Sequence, residues 1–289
     1  MYAATDGGYT LLLLEDDDPM DPRKDYEPFG KMVCWHSRYH LGDDHNFDTP
    51  EDFLRDLYRR SITDDAKRMI RFLQEKKARG AYLEYNRSTH EWELYGYCCW
   101  RTVLGNSEPE WELLESAPIS QLNGQSWFFD AMLDALTIND LKELLSECDN
   151  LVIFPLYLYD HTIQSISIRS FIGRAQHAEW DSGQVGYIYA DREAIMKAYG
   201  AVNADSVQRA AAALEAETET YDMYLRGECY GFRLYEDGEE VDSCWGFLGD
   251  FNTVCESVRE CIPECYELVD RLEFTDESEE DYLLNHTAA

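Results

Sequence analysis

Apolar residues recur along the chain in two patterns, short bounded runs and helical spacings, which predict a series of strands and helices. Runs of strand length flanked by polar or turn residues indicate strands. Asp237-Gly238 gives the strongest hairpin signal, because this dipeptide suits a two-residue turn between paired strands. The predicted strands are 9–14, 31–39, 81–85, 92–99, 151–160, 165–169, 180–189, 229–236 and 240–247.

Helical spacing combined with end signals predicts the helices. Thr49 can cap the first helix and Pro50 can occupy its first turn, where the missing N–H costs nothing. Glycines follow several of the later helical segments, as is typical of helix C-termini. The predicted helices are 50–60, 64–79, 124–136, 138–148, 191–199, 204–226 and 253–271, and an acidic tail follows the last one.

This order of elements predicts an α+β fold with a mixed sheet and flanking helices. The run 151–160 is almost continuously apolar, so we expect it near the centre of the sheet. Residues 50–148 supply helices and a hairpin between strand-rich segments, and we expect them to form an inserted helical and hairpin subdomain. The main domain would then comprise 1–49 and 149–289.

Negative charge dominates the composition, with 58 acidic and 25 basic residues and a formal net charge of −33. Lysine and arginine supply most of the affinity of proteins for phosphates, so this charge argues against direct binding of nucleic acid or membranes. The expected partner is a basic protein or the nucleic-acid channel of another protein, and homo-oligomers are left open. Basic residues are dense only between Arg55 and Arg79, where a solvated helix face is expected.

Neither export nor membrane insertion is indicated. The N-terminal apolar run lacks a basic leader and passes directly into acidic residues, unlike a signal peptide. The longest apolar run has the length of a strand, not of a membrane span. The nine cysteines, an odd number without a CxxC pair, are therefore expected to be reduced thiols of a protein in the host cytoplasm.

Common enzyme motifs are missing from the sequence. It contains no GxGxxG, P-loop, GxSxG, HExxH or EF-hand pattern. This argues against the most frequent enzyme classes, and no cofactor is predicted. Two polar clusters keep an enzyme open as an alternative.

The first cluster places three of the seven histidines, His36, His40 and His45, close to two aspartates. Imidazole and carboxylate are good ligands for zinc or manganese. If the predicted strand 31–39 continues through this segment, however, His36 and His40 lie about 13 Å apart, too far for one ion. Hydrogen-bonded structural histidines are therefore expected, with a metal site at His36, His40 and His45 as the alternative.

The second cluster lies where the predicted strand 151–160 ends. Asp160 and His161 stand at that end, and Asp181 opens a later segment. An aspartate can orient a histidine as a general base, but no nucleophile stands at a recognisable spacing. Aspartates at strand ends often only cap turns. No catalytic residue is therefore assigned, and Asp160, His161 and Asp181 are kept as the alternative.

Several segments carry a resemblance to a known group of proteins. They read GKMVCWH (30–36), YHLGDDH (39–45), PLYLYDH (155–161), WDSGQVGYIY (180–189), ETYD with YL (219–225) and DSCWGF (242–247). In these segments the chain resembles a family of uncharacterised acidic proteins carried by bacteriophages and conjugative elements. The resemblance covers roughly 28–50 and 150–250, whereas 60–135 look like an insertion relative to shorter members. It implies a mobile-element accessory protein, and such acidic accessories often counter host defence.

The acidity increases toward the C-terminal part of the sequence. Averaged over the expected surface, the chain has one net charge per about 380 Å², against one per about 110 Å² on B-DNA. Residues 215–289 hold 22 acidic and 4 basic residues, which raises the density to one net charge per about 180 Å². That density is within a factor of about two of the DNA value.

The leading hypothesis is a non-enzymatic inhibitor of a host nucleic-acid-targeting defence system, of the restriction or CRISPR type. It would act by protein binding, as an acidic mimic of DNA, with a basic host protein or the nucleic-acid channel of a defence complex as its partner. The alternatives are a metal-dependent enzyme that uses the segment from His36 to His45, and an acidic immunity or assembly module. The predicted partner-binding residues are the acids of the hairpin and tail: Glu236, Asp237, Glu239, Glu240, Asp276, Glu277, Glu279, Glu280 and Asp281.

Overall fold

The computed structural model describes residues 1–61, 66–103 and 106–286, with the backbone alone at 100–103 and 106–108. Helices and antiparallel strands are both abundant, which confirms the α+β class. The strands are β1 (Tyr2–Asp6), β2 (Tyr9–Glu15), β3 (Lys31–Cys34), β4 (Ala81–Asn86), β5 (Glu91–Val103), β6 (Asn106–Ala117), β7 (Val152–Asp160), β8 (Gln164–Ser167), β9 (Ser182–Ala190), β10 (Cys229–Glu236), β11 (Glu239–Leu248) and β12 (Glu273–Phe274).

The helices alternate with these strands along the chain. Two short 3₁₀ segments, Ile119–Gln121 and Tyr266–Arg271, accompany them. In the described ranges no helix combines the length and the apolar character needed to cross a bilayer. The helices are α1 (Pro50–Ser61), α2 (Ala66–Gln74), α3 (Trp127–Asp134), α4 (Ile138–Ser146), α5 (Ala178–Asp181), α6 (Arg192–Tyr199), α7 (Ala204–Leu225), α8 (Phe251–Cys261) and α9 (Glu279–His286).

The chain forms two compact units. Unit 1 comprises Met1–Phe29, Pro155–Val185 and Ala213–Ala289, and unit 2 comprises Gly30–Phe154 and Gly186–Ala212. The predicted insertion, 50–148, lies inside unit 2, together with residues on either side of it. Its separation from a main domain stays a prediction.

Unit 1 is built around a five-stranded antiparallel sheet with the order β11-β10-β2-β1-β12. Successive side chains of a strand point to opposite faces, and both faces of β2 are buried. Leu11 and Leu13 pack with Val258 of α8 on one face. Leu12 packs with Tyr282 of α9 on the other. Helices thus cover both faces of the sheet, whereas β11 forms one of its edges.

Unit 2 combines helices α1 to α4 with the antiparallel sheet β4-β5-β6. Its apolar cluster includes Phe53 of α1, Met69 of α2 and Phe129 of α3, all fully buried. Strand β3 pairs with β9, and Val33 lies opposite Tyr187. Large apolar side chains from the helices and from β3 and β9 therefore share one core.

The N-terminus of α4 is closed by a reciprocal capping box. Thr137 accepts a hydrogen bond from the backbone N–H of Asp140, and Asp140 accepts one in return from that of Thr137. The Asp140 carboxylate is buried. It also accepts the backbone N–H groups of Arg79 and Gly80, at 2.8 and 3.0 Å. One buried side chain thus joins the start of α4 to the segment that precedes β4.

Several predicted elements differ from the structure. The strand predicted at 31–39 ends at Cys34, because the following loop folds back and Asp43 bonds both backbone groups of Met32. The helix predicted at 253–271 ends at Cys261, since Pro263 disfavours helical backbone at the residue before it. The acidic tail contains helix α9. The helix predicted at 64–79 ends at Gln74, and its first residues lie outside the described ranges.

Candidate protein-binding surface

Negative charge is divided unequally between the two units. Unit 1 contains 33 acidic and 8 basic residues, a formal net charge of −25. Unit 2 contains 25 acidic and 17 basic residues, a net charge of −8, although it is the longer unit. Net charge per residue is therefore more than three times higher in unit 1, which also carries every predicted partner-binding acid.

The hairpin β10–β11 presents the first group of these acids. Asp237 and Gly238 both have positive φ, at 49° and 87°, as the predicted two-residue turn requires. The backbone N–H of Asp237 donates to the carbonyl of Gly8 at 2.9 Å, so the turn is tied to the loop between β1 and β2. Glu239 and Glu240 follow on β11 and are exposed.

Glu236 is fixed by a neighbouring strand. The hydroxyl of Tyr9 donates to its carboxylate at 2.6 Å. This hydrogen bond and the charge of Glu236 raise the pKa of Tyr9 to about 12. The last acid of β10 therefore has a defined position at the end of the sheet.

Helix α9 carries the second group of acids. Ser278 caps it, with Asp281 accepting from the Ser278 hydroxyl at 2.7 Å and donating its backbone N–H in return. Tyr282 anchors the helix in the core of unit 1. Glu280 and Asp276 are exposed. The tail acids thus stand on or beside an ordered helix.

Glu279 turns from α9 toward the sheet. It accepts a hydrogen bond from the hydroxyl of Tyr235 at 2.7 Å and forms an ion pair with Arg233 at 2.9 Å. Burial, followed by the hydrogen bond to Glu279, raises the pKa of Tyr235 to about 12. Arg233 also lies 4.0 Å from Glu240. Arg233 therefore connects the hairpin acids with the helix acids.

Trp245 completes this group on the edge strand. Tyr230 pairs with Phe247 and Phe232 with Cys244, so Trp245 and Gly246 together oppose Gly231 in a β-bulge. The bulge turns the indole across Gly231: a Cβ added there would lie 2.2 Å from the ring. The Arg233 guanidinium lies 5.6 Å from the ring centroid. Indole, guanidinium and two carboxylates thus form one cluster, the Arg233 cluster (Arg233, Glu240, Trp245 and Glu279).

The acids of this surface could be selected from the sequence, but the residues that fix their positions could not. Arg233, Tyr235 and Trp245 were not singled out, because their roles depend on pairing between β10, β11 and α9. A signal was present in the order of residues, since a Trp-Gly dipeptide in a strand beside an acidic hairpin fits an edge bulge.

The predicted histidine cluster lines an open depression of about 750 Å³. His45 uses both ring nitrogens: Nδ1 accepts the N–H of Phe47 at 3.3 Å, so Nε2 donates to the Cys34 carbonyl at 2.9 Å. His36 Nδ1 accepts backbone N–H groups, and its ring stacks on Tyr39 at 4.9 Å. Within the described residues no three His, Cys, Asp or Glu side chains are placed to hold a metal ion.

The second predicted cluster is partly assembled. His161 Nδ1 lies 2.9 Å from a carboxylate oxygen of Asp181, and both side chains are accessible to solvent. The His177 ring lies 6.2 Å away, between centroids. Asp160 ends β7, as predicted. The structure thus brings His161 and Asp181 together. In this arrangement Asp181 can orient the His161 imidazole as a general base.

Several basic residues between Arg55 and Arg79 form ion pairs with acids of the same unit. Arg59 pairs with Asp130 at 2.6 Å, and Arg60 pairs with both Asp56 and Asp191, at 2.7 and 3.3 Å. Exposed pairs of this kind add little stability. They do reduce the positive field that a phosphate would meet.

Comparisons with protein-family models, with curated proteins and with solved structures gave no match for this chain.

Proposed function

We propose that this protein is a non-enzymatic inhibitor of a host nucleic-acid-targeting defence system of the restriction or CRISPR type. It binds a basic surface of that system and presents carboxylates where the target expects phosphates. The observation that carries the proposal is the concentration of charge, −25 of −33, in unit 1. The choice of a defence system as target rests on the resemblance to acidic proteins of phages and conjugative elements.

The local structure supports binding through this surface. The acids of the hairpin stand on a tight turn tied to Gly8, and those of the tail stand on the capped helix α9. Carboxylates on ordered backbone lose little freedom when they bind, so more of their electrostatic attraction remains as affinity. Unit 1 therefore offers a preorganised acidic surface to a basic partner.

The test compares two charge-reversal variants in nuclease inhibition. The unit 1 variant changes Glu239, Glu240, Asp276 and Glu280 to Lys, and Asp237 is left in place because its positive φ disfavours Lys. Cleavage of DNA by a panel of restriction and CRISPR nucleases is measured with wild type and variant. We expect wild type to inhibit at least one nuclease, and the unit 1 variant to lose that inhibition.

The matched control reverses four exposed acids of unit 2, Glu112, Glu115, Glu143 and Asp149. Both variants change the formal charge equally, so net charge cannot explain a difference between them. Retained inhibition in the unit 2 variant would locate the binding surface in unit 1. Equal inhibition by wild type and the unit 1 variant would refute the proposed surface.

A second candidate, an enzyme, is favoured by the pair His161 and Asp181 alone. Hydrolysis of ester, phosphomonoester and phosphodiester substrates by wild type and His161→Gln tests it. Turnover that is lost in the variant would establish the enzyme. Equal background rates in both proteins would rule out these reactions.

A further inference from the structure

We propose that Trp245 is the anchor of the partner-binding surface and that it receives an arginine side chain from an arginine-rich segment of the partner. This inference rests on the proposed function, because it assigns the chemistry of the partner on the same surface. The inference adds an aromatic contact to the acidic surface of unit 1, which the proposed function describes only by its charge.

The position of Trp245 is the first argument. Trp245 is 42% exposed, although its indole covers Gly231 and the Arg233 guanidinium lies over the ring, 5.6 Å from its centroid. A ring held in this way has lost its rotational freedom before a partner arrives. Tryptophan is among the residues enriched at the hot spots that dominate binding energy at protein interfaces.

The charges around the ring are the second argument. Arg233 is neutralised by Glu279 at 2.9 Å and approached by Glu240 at 4.0 Å, so the Arg233 cluster keeps one net negative charge. Further acids follow in the hairpin. A guanidinium can stack on an indole face and bond a carboxylate at the same time, whereas an ammonium is a compact, strongly hydrated point charge. The cluster therefore favours arginine over lysine.

The edge of the sheet is the third argument. Among the described residues no strand pairs with the outer side of β11, yet two register shifts interrupt this strand, one at Val241 and one at Trp245–Gly246. Bulges and acids on an edge discourage the addition of another strand. The partner therefore contacts side chains of β11 and does not pair with its backbone. Trp245 lies at the centre of these side chains.

Labelled octa-arginine and octa-lysine peptides serve as the probes, and fluorescence anisotropy measures their affinity. Trp245→Leu still covers Gly231 but has no π face, whereas Trp245→Phe keeps an aromatic ring. Trp180→Leu is the control, because Trp180 is 86% exposed in the same unit but lies outside the Arg233 cluster. Thermal unfolding shows whether each variant is folded.

We expect octa-arginine to bind wild type more tightly than octa-lysine, with the difference persisting at about 0.5 M salt, where exposed charges are screened. Trp245→Leu should lower affinity for octa-arginine about tenfold, and Trp245→Phe and Trp180→Leu much less. Equal affinity of Trp245→Leu and Trp245→Phe for octa-arginine would overturn the anchor. If the anchor were overturned in this way but nuclease inhibition still depended on the unit 1 acids, the proposed function would remain, with binding due to the carboxylates and not to Trp245.

Discussion

The hydroxyl of Tyr9 and the carboxylate of Glu236, 227 positions apart in sequence, share a hydrogen bond of 2.6 Å. The two residues lie directly opposite each other on β2 and β10. Their contact joins the N-terminal strand pair to the acidic hairpin. It exists only while Tyr9 keeps its proton, which makes this part of the sheet sensitive to high pH.

We therefore predict an alkaline loss of stability that depends on Tyr9. The pKa of Tyr9 is raised from 10.0 to about 12 in the folded protein, so its contribution is complete below pH 10 and is lost as the pH rises toward about 12. The difference in free energy of unfolding between wild type and Tyr9→Phe should shrink over that range. Urea unfolding at several pH values measures it, and a constant difference would contradict the assignment.

A second prediction concerns Asp140 in unit 2. Its carboxylate accepts the backbone N–H groups of Arg79 and Gly80 and caps α4 with Thr137. Asp140→Ala removes the protein acceptor of these partly buried donors and should lower the free energy of unfolding by about 3 kcal/mol. Asp130→Ala, at an exposed acid of the same unit, is the control and should cost less than about 1 kcal/mol. Equal stability of the two variants would show that water replaces the lost carboxylate.

The third prediction tests the packing of the indole on the sheet. In Gly231→Ala the new Cβ would lie 2.2 Å from the ring of Trp245, so the indole must move. We expect a change in tryptophan fluorescence and a loss of about 1–3 kcal/mol. Gly183→Ala is the control, because no atom lies within 4 Å of a Cβ placed there. An unchanged spectrum in Gly231→Ala would place the ring elsewhere.

The fourth prediction is that the protein does not bind duplex DNA at physiological salt. Its net charge of −33 opposes the phosphates, and ion pairs occupy Arg59 and Arg60 in the basic part of unit 2. An electrophoretic shift assay with several unrelated duplexes measures this. Micromolar binding that Arg59→Ala and Arg60→Ala abolish would instead identify a nucleic-acid surface on α1.

The sequence predicted elements well where local chemistry determines them. The hairpin β10–β11 was placed to within about a residue, because Asp237-Gly238 sets the turn and the alternating residues set the strands. The start of α1 followed from Thr49 and Pro50. Strands β1, β6 and β12 were not predicted. The first and last are short, and β6 is largely polar, so each forms through pairing with a neighbour and not through its own pattern.

The candidate surface divides in the same way. Glu239, Glu240 and Glu280 could be selected from the sequence, because charge density is a property of composition. The role of Arg233 could not, since its contacts come from Glu279, 46 positions away, and from Trp245 across a bulge. The loop after β3 was misjudged for a related reason: Asp43 completes the hydrogen bonding of Met32 in place of a strand neighbour.

The pairing of β1 with β12 has a consequence for synthesis. Tyr2 lies opposite Phe274, so β1 meets its outer neighbour only after more than 270 further residues have been synthesised. Loops of that length close slowly, and proteins rich in such distant contacts fold slowly. Until residue 274 emerges, the nascent chain exposes one unpaired side of β1. We therefore expect the sheet of unit 1 to be completed only after residue 274 has been synthesised.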